Sequence, residues 1–385
     1  MQKLRMGMIG GGPDAFIGAV HRIAARIDGL IELTAGCFSS NADKSKQMGS
    51  QLGLAASRCY ATYQEMLTAE AALPGNERIH FVSIVTPNHV HFEPAKMAME
   101  YGFHVVLDKP LCFSLQEAYE LKNIIHKTQT VFCLTHTYTG YPMVKQAKQM
   151  VADGAFGRIR KVYVEYPQGW LSTALEQTEQ KQASWRTDPT KSGKAGAMGD
   201  IGTHAFNLAE YVSGEQVTSI CAQVNAVVPN RALDDDGAAL LTFTNGVTGV
   251  LMATQIAAGE ENNVKIRVYG EKGGLEWQQQ DANTLQVKWL DAPAQIYRTG
   301  GGYNHAISNY NVRVPSGHPE GYLEAFANHY KNFSTVLLAK LQNDAAPAEA
   351  YDFPGIQEGV RGMQFIETII KSGTSQEKWT KFVEE

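Results

Sequence analysis

The chain has 385 residues, 44% of them hydrophobic and 19% charged, which is enough apolar surface for two domain-sized cores and excludes a disordered chain. Its 34 Lys and Arg stand against 39 Asp and Glu, a formal charge of −5, so no basic footprint exists for nucleic acid or an anionic membrane. The five cysteines show no CxxC spacing, and no apolar run suits a membrane span or signal-peptide core, so a soluble cytoplasmic protein with free, buried thiols is expected.

In chain order, Met6–Ile9 reads as a strand, followed by glycines and a helix through about Arg26. Ile31–Ala35 reads as a strand, Ala42–Leu52 as a helix, Cys59–Ala61 as a short third strand and Tyr63–Ala72 as a helix. Strand Phe81–Val85, helix Pro94–Tyr101, strand His104–Leu107, helix Leu115–Thr128 and strand Val131–Thr135 follow. Short apolar strands alternating with helices predict an α/β fold with a doubly wound parallel sheet. Beyond about residue 155 the pattern becomes α+β. The runs 158–166, 217–228, 237–244, 246–255, 265–270, 275–279 and 284–290 predict a large, mostly antiparallel open sheet, with helices at 203–212, 321–341 and 356–371. The expected division is a first domain over 1–140 and an α+β substrate-binding and oligomerisation domain over 141–355. A final helical segment, 356–385, is expected to pack near the first domain.

Gly10, Gly12 and Gly18, with Phe16 among them, link the first strand to its helix. Such a turn brings backbone and a helix N-terminus up to a pyrophosphate, although the G-x-G-x(5)-G spacing is longer than the usual fingerprint. That fingerprint also expects an acid at the tip of the second strand. Ser39, Ser40 and Lys44 stand there instead and could bond a ribose 2′-phosphate, which leaves NAD and NADP both open.

Two later strand ends add Thr86–Pro87–Asn88–His89–Val90–His91 and Asp108–Lys109–Pro110. Together with the glycine turn, with 154–159 (GAFGRI) and with 199–204 (GDIGTH), they make the chain resemble the Gfo/Idh/MocA family, the glucose–fructose oxidoreductase and inositol dehydrogenase group. The resemblance spans essentially the whole chain and implies a Rossmann domain binding NAD or NADP. It places Thr86, Pro87, Asn88, His91, Asp108, Lys109 and Pro110 along the cofactor. It further implies that Lys109 hydrogen-bonds the reacting hydroxyl or carbonyl, with Pro110 in a cis-like or tight turn.

Asp200 and His204 are four residues apart, so on a helix they share a face, where a carboxylate and an imidazole can bind a polyol and exchange a proton. Asp200 could equally cap that helix. The resemblance implies that Asp200 anchors substrate and that His204 is the acid/base. Trp185 and Arg186 could offer a sugar a ring and a fork of donors, as in similar dehydrogenases acting on sugars, with Gln168 and Trp170 on the same wall. His136 and Tyr138 end the strand Val131–Thr135. Many relatives carry Asn-Tyr-Arg there and this chain has Thr137–Tyr138–Thr139, so no relative's substrate transfers directly. No metal is expected, because His89 and His91 have no third ligand in a suitable pattern. Asp234–Asp235–Asp236 reads as a solvated turn.

These observations predict an NAD(P)-dependent dehydrogenase acting on a secondary hydroxyl of a sugar, sugar derivative or cyclitol. Its partner is a carbohydrate-like small molecule, with no nucleic acid and no membrane, and the assembly is expected to be a homodimer or homotetramer. Two alternatives remain open: an oxidoreductive glycosidase that oxidises transiently and re-reduces, and a non-catalytic dinucleotide-bound sensor.

Overall fold

The computed structural model describes residues 3–13, 15–178 and 180–383. They form two compact units, Met1–Thr137 with Tyr322–Val360, and Tyr138–Gly321 with Arg361–Glu385.

The first unit holds the strands β1 (Leu4–Gly10), β2 (Ile31–Cys37), β3 (Phe81–Val85), β4 (His104–Leu107) and β5 (Phe132–Leu134). They pair in parallel in the order β2-β1-β3-β4-β5. Helices α1 (Phe16–Ile27), α2 (Ala42–Gln51), α3 (Tyr63–Ala72), α4 (Phe92–Glu100) and α5 (Leu115–Thr128) lie between them in the chain. All five residues of β3 are buried, as expected for a strand covered on both faces. From β1 the chain runs outward to β2 and then returns past β1 to β3. The loops after β1 and β3 therefore diverge and open a crevice at the carboxyl ends of the strands.

The expected strand over Cys59–Ala61 is absent. The pairing there is a single bridge between Gly36 and Cys59, after a 3-10 turn over Ala56–Arg58. Thr62 then caps α3 by accepting the Glu65 N–H, so the chain turns before a ladder can extend.

Two histidines tie neighbouring strands of this sheet at their amino ends. Nδ1 of His80 accepts the Arg5 N–H, and Nδ1 of His104 accepts the Val131 N–H, each at 2.9 Å. Both rings are pushed down to about 4, His80 by burial and then by Arg5 and Arg78, His104 by burial and then by Lys340 and His80. They stay neutral in the folded chain and take up protons in the unfolded chain below the ordinary value of 6.5, so stability falls as the pH drops from there towards 4. Calorimetric melting should drop by several degrees (on the order of 5 °C) on acidification from about pH 7 to about pH 5. His104→Asn, whose Oδ1 can still accept the Val131 N–H, should flatten part of that slope.

The second unit begins with a helix that was not expected, α6 (Pro142–Ala152), with proline in its first turn. The unit continues through β6 (Ile159–Pro167), α7 (Lys181–Arg186), α8 (Pro189–Ser192), α9 (Thr203–Ser213), β7 (Val217–Asn225), β8 (Asp236–Phe243), β9 (Thr248–Thr254), β10 (Lys265–Gly270), β11 (Gly273–Gln278), β12 (Thr284–Trp289), β13 (Gln295–Arg298) and α10 (Ala306–Tyr310). The last elements of the chain are α11 (Tyr322–Leu341), α12 (Ile356–Thr374) and β14 (Thr380–Lys381). Among the described residues the second unit builds a nine-stranded sheet, β13-β12-β11-β10-β6-β9-β8-β7-β14. Its pairs are antiparallel except β6 with β9, which run parallel with Pro167 opposite Thr254. The β8–β9 hairpin turns through Asn245 (φ 55°) and Gly246 (φ 75°), the left-handed pair that a tight hairpin requires.

The units divide the chain differently from a linear reading cut near residues 140 and 355. Helix α11, expected in the second domain, packs in the first unit, because Phe326, Tyr330, Phe333 and Leu337 form one stripe against Leu4, Val20, Ala24 and Phe81. Residues 361–385, expected near the first domain, belong to the second unit, where Phe365 and Phe382 stack on Phe206. The acidic run is likewise not a solvated turn. Asp235 is fully buried, paired with Arg231 at 3.1 Å, and accepts the Val227 and Val228 N–H groups. Among the described residues no helix is long and apolar enough to cross a membrane.

Candidate functional site

In the first unit the turn after β1 is built for close approach. Gly10 and Gly11 adopt φ of 89° and 72°, and a Cβ on Gly18 would fall 2.3 Å from the Gly11 Cα. That gap lets the start of α1 lie against the turn, and Arg22 holds it by donating to the Gly11 carbonyl at 2.8 Å. Among the described residues no side chain caps α1 at Ala15, and Phe16 is exposed beside its first amides. A pyrophosphate fits this backbone cradle. Gly18→Ala should therefore weaken NADH binding at least about tenfold in a fluorescence titration, because backbone must move to admit the methyl group.

At the tip of β2, the Ser39 hydroxyl accepts the Asn41 N–H at 3.1 Å, and Asn41 caps α2 by accepting the Lys44 N–H at 2.9 Å. Ser40 and Lys44 are exposed there.

The ends of β3 and β4 are joined by His91. It is almost fully buried, with Nδ1 2.8 Å from the Pro110 carbonyl and Nε2 2.8 Å from the Thr86 carbonyl. Both ring nitrogens thus face backbone, and the ring holds the two loops in place. Thr86 donates to the Val90 carbonyl at 3.1 Å, and Asn88 opens the 3-10 turn with its side chain buried. The Lys109–Pro110 peptide bond is cis. Burial pulls the Asp108 carboxyl up, but His21, Lys109 and His91 outweigh that and hold it well below the usual carboxylate range. Thr135 donates to the same carboxylate at 2.8 Å. His136 is buried, and burial, with Lys109 and His329 beside it, pushes its ring down to about 3. Lys109 is thus a cation set among Asp108, His91 and a neutral His136.

In the second unit, Asp200 lies in a π-helical turn over Met198–Gly202 that runs straight into α9. Wide turns of this kind concentrate at functional sites. The Asp234 carboxylate shapes it by accepting the Gly196 and Met198 N–H groups, each at 2.7 Å. Asp200 is therefore no helix cap. Its Oδ2 instead accepts from Arg186 Nε at 3.2 Å and from Gln255 Nε2 at 2.9 Å. Arg186 stacks 4.3 Å over the Trp185 ring, lies 5.9 Å from that of Trp170 and donates to Gln182. Gln168 accepts from Trp170 Nε1 at 3.0 Å. His204 is mostly buried, with the Tyr138 ring edge-on at 5.0 Å and the Tyr166 ring at 6.4 Å.

The expected residues Tyr138, Gln168, Trp185, Arg186, Asp200 and His204 thus line one hydrogen-bonded and ring-packed wall, while Lys109 and His136 sit together in the first unit. Sequence reasoning missed Gln255, Asn262, Tyr166, Gln182 and Asp234. Gln168 and Gln255 follow the two parallel strands β6 and β9, whose register brings their ends side by side. That pairing is long-range and has no local signature.

A model of the oxidoreductase family with an NAD-binding Rossmann fold matches residues 4–152, and one of the GFO/IDH/MocA C-terminal domain matches residues 144–276. The oxidoreductase YfiI of Bacillus subtilis is 32% identical over 99% of this chain and 97% of its own. The levoglucosan dehydrogenase of Pseudarthrobacter phenanthrenivorans is 27% identical over 76% of this chain and 78% of its own. Among solved structures, an inositol dehydrogenase homologue from Azotobacter vinelandii complexed with NAD+ has a TM-score of 0.94 at 34% identity, covering 99% of this chain and 98% of that one. The same homologue with NADH and myo-inositol has a TM-score of 0.91 at 33% identity, with the same coverage.

Proposed function

The chain belongs to the GFO/IDH/MocA oxidoreductase family, and from that premise we propose that it oxidises a secondary hydroxyl of a sugar, sugar derivative or cyclitol using NAD or NADP. The observation that carries this reading is the wall around Asp200 and His204. It combines one carboxylate, balanced by Arg186, with amides, phenols and indoles, which suits an uncharged polyol. One relative, solved with NAD+ and again with NADH and myo-inositol, supports both halves of the reading.

The glycine turn holds the dinucleotide pyrophosphate, with Phe16 and the Thr86–Asn88 and Asp108–Pro110 loops beside the rest of it. The nicotinamide, when bound, accepts or returns the hydride. Lys109 donates a hydrogen bond to the reacting oxygen and stabilises the negative charge that develops there. Asp200 accepts from a substrate hydroxyl and sets the orientation of the ring, while Trp185, Arg186, Gln168 and Tyr138 line the remainder. A ring nitrogen of His204 takes the proton from the reacting hydroxyl in oxidation and gives it back in reduction.

A screen of free sugars, cyclitols and glycosides with NAD+ and NADP+ tests the proposal. Net NADH or NADPH formation with a polyol is the expected result, and no reduction of either cofactor with any of them refutes it. Aglycone release without net NADH would favour the oxidoreductive glycosidase instead. A preference for NADP+ would assign Ser39, Ser40 and Lys44 to a 2′-phosphate, and light scattering on the same preparation tests the homodimer or homotetramer.

A further inference from the structure

Gln255 is 2% exposed and stands one residue beyond β9. Its Nε2 donates to Asp200 Oδ2 at 2.9 Å and to Gln168 Oε1 at 3.3 Å. Two groups of fixed polarity set the direction of everything beyond it. An ionised carboxylate only accepts, so Gln255 turns its NH2 towards Asp200. An indole only donates, and Trp170 Nε1 reaches the same Gln168 Oε1 at 3.0 Å, so Gln168 turns its carbonyl to this side and its NH2 to the other. That NH2 meets Asn262 Oδ1, which also takes the Tyr166 hydroxyl proton at 2.6 Å. Asn262 then directs its own NH2 to Gln279 at 3.0 Å and to the Tyr138 hydroxyl at 3.3 Å. With the Tyr166 proton committed, the Tyr138 hydroxyl donates to Tyr166. Every amide in the chain has one orientation that satisfies all its neighbours.

We propose that Gln255 is a positioning residue: it joins the Asp200 carboxylate to a one-way hydrogen-bond chain through Gln168 and Asn262 to the Tyr138–Tyr166 pair, and so holds Asp200 for a polyol hydroxyl. The inference rests on the function proposed above, in which Asp200 anchors the substrate. It adds that this anchor and the phenol packed on His204 belong to one polar lattice, in which Gln255 links the Asp200 carboxylate to an amide chain oriented by the Trp170 indole.

Gln255→Glu reverses the polarity at the start of the chain. The introduced carboxylate would face two acceptors, Asp200 and Gln168 Oε1, and a flip of the Gln168 amide relieves the second of these contacts while the repulsion from Asp200 stays. The flip removes the acceptor from the Trp170 indole. In a 15N–1H spectrum the Trp170 indole resonance, assigned with Trp170→Phe, should therefore move in Gln255→Glu. An unmoved resonance overturns the chain, and this arm needs no turnover. Gln255→Met, matched in length, serves the kinetic arm and covers the case in which the charged variant fails to fold. With myo-inositol and NAD+ as the probe pair, it should raise the KM for myo-inositol about 10- to 100-fold, the loss of one hydrogen bond to a charged group. The kcat should stay within about threefold, and the KM for NAD+ should not change. An unchanged myo-inositol KM overturns the positioning role. If the wild-type protein oxidises no polyol, the function reading is what fails, and the indole resonance alone decides Gln255.

Discussion

Lys109→Ala is expected to lower kcat about a thousandfold or more while leaving the affinity for NADH within about threefold. The lysine stands at the carboxyl end of β4, where the sheet order opens its crevice, and its neighbours are the Asp108 carboxylate, His91 and His136. His136 is kept neutral, so the ammonium is the cation this cluster can offer to an oxygen gaining negative charge. A hydrogen-bond donor aimed at developing charge contributes to the transition state and little to the ground state, which is why the loss should fall on kcat. Lys109→Arg keeps the charge but replaces a compact ammonium with a planar fork, and it should restore little of the rate. Single-turnover reduction of NAD+ measures the step directly. A Lys109→Ala protein with wild-type kcat would remove the lysine from the reaction.

The second large effect belongs to His204. His204→Asn should reduce kcat/KM by about 10²- to 10⁴-fold, the usual reach of general acid–base catalysis. The pH profile carries the sharper evidence. In the wild type, the oxidation rate falls as the base becomes protonated on the acid side, and in the variant that limb should disappear. The imidazole is mostly buried and enclosed by the rings of Tyr138 and Tyr166, so asparagine fills most of its volume without supplying a base. Survival of the acid limb in His204→Asn would move the proton transfer to another group.

Much of the first unit is legible because its signals are local. A five-residue apolar strand, a Ser114 capping box at α5 and glycines after β1 each announce themselves within a few positions. The Asp108–Lys109–Pro110 pattern is equally local and follows β4 as expected, whereas Asp200 sits in a π-helical turn ahead of the α9 that carries His204. The misses are long-range. Arg231, the partner that buries Asp235, lies within one turn, but the Asp234 carboxylate holds amides almost forty positions earlier in the chain. Gln255 meets Gln168 because β6 and β9 pair in parallel, a register that no periodicity in either strand specifies. The motif around His91 likewise carries no sign that its ring nitrogens bridge the Thr86 and Pro110 carbonyls.

The placement of α11 has a consequence for how the protein is made. The stripe of Phe326, Tyr330, Phe333 and Leu337 completes the packing around β1 and α1, yet it is translated about 190 residues after the fifth strand of that sheet. As the chain leaves the ribosome, the dinucleotide-binding sheet must wait with one flank bare until nearly the whole second unit has emerged. That unit in turn lacks the rings that stack on Phe206 until Phe365 and Phe382 have been translated. Neither half can close early: the first waits for α11 and the second for the segment that carries Phe365 and Phe382. A gene fragment ending near residue 140 would therefore yield a sheet with an apolar flank open to chaperones and aggregation, whereas one that joins 1–137 to 322–360 through a short linker restores the missing stripe.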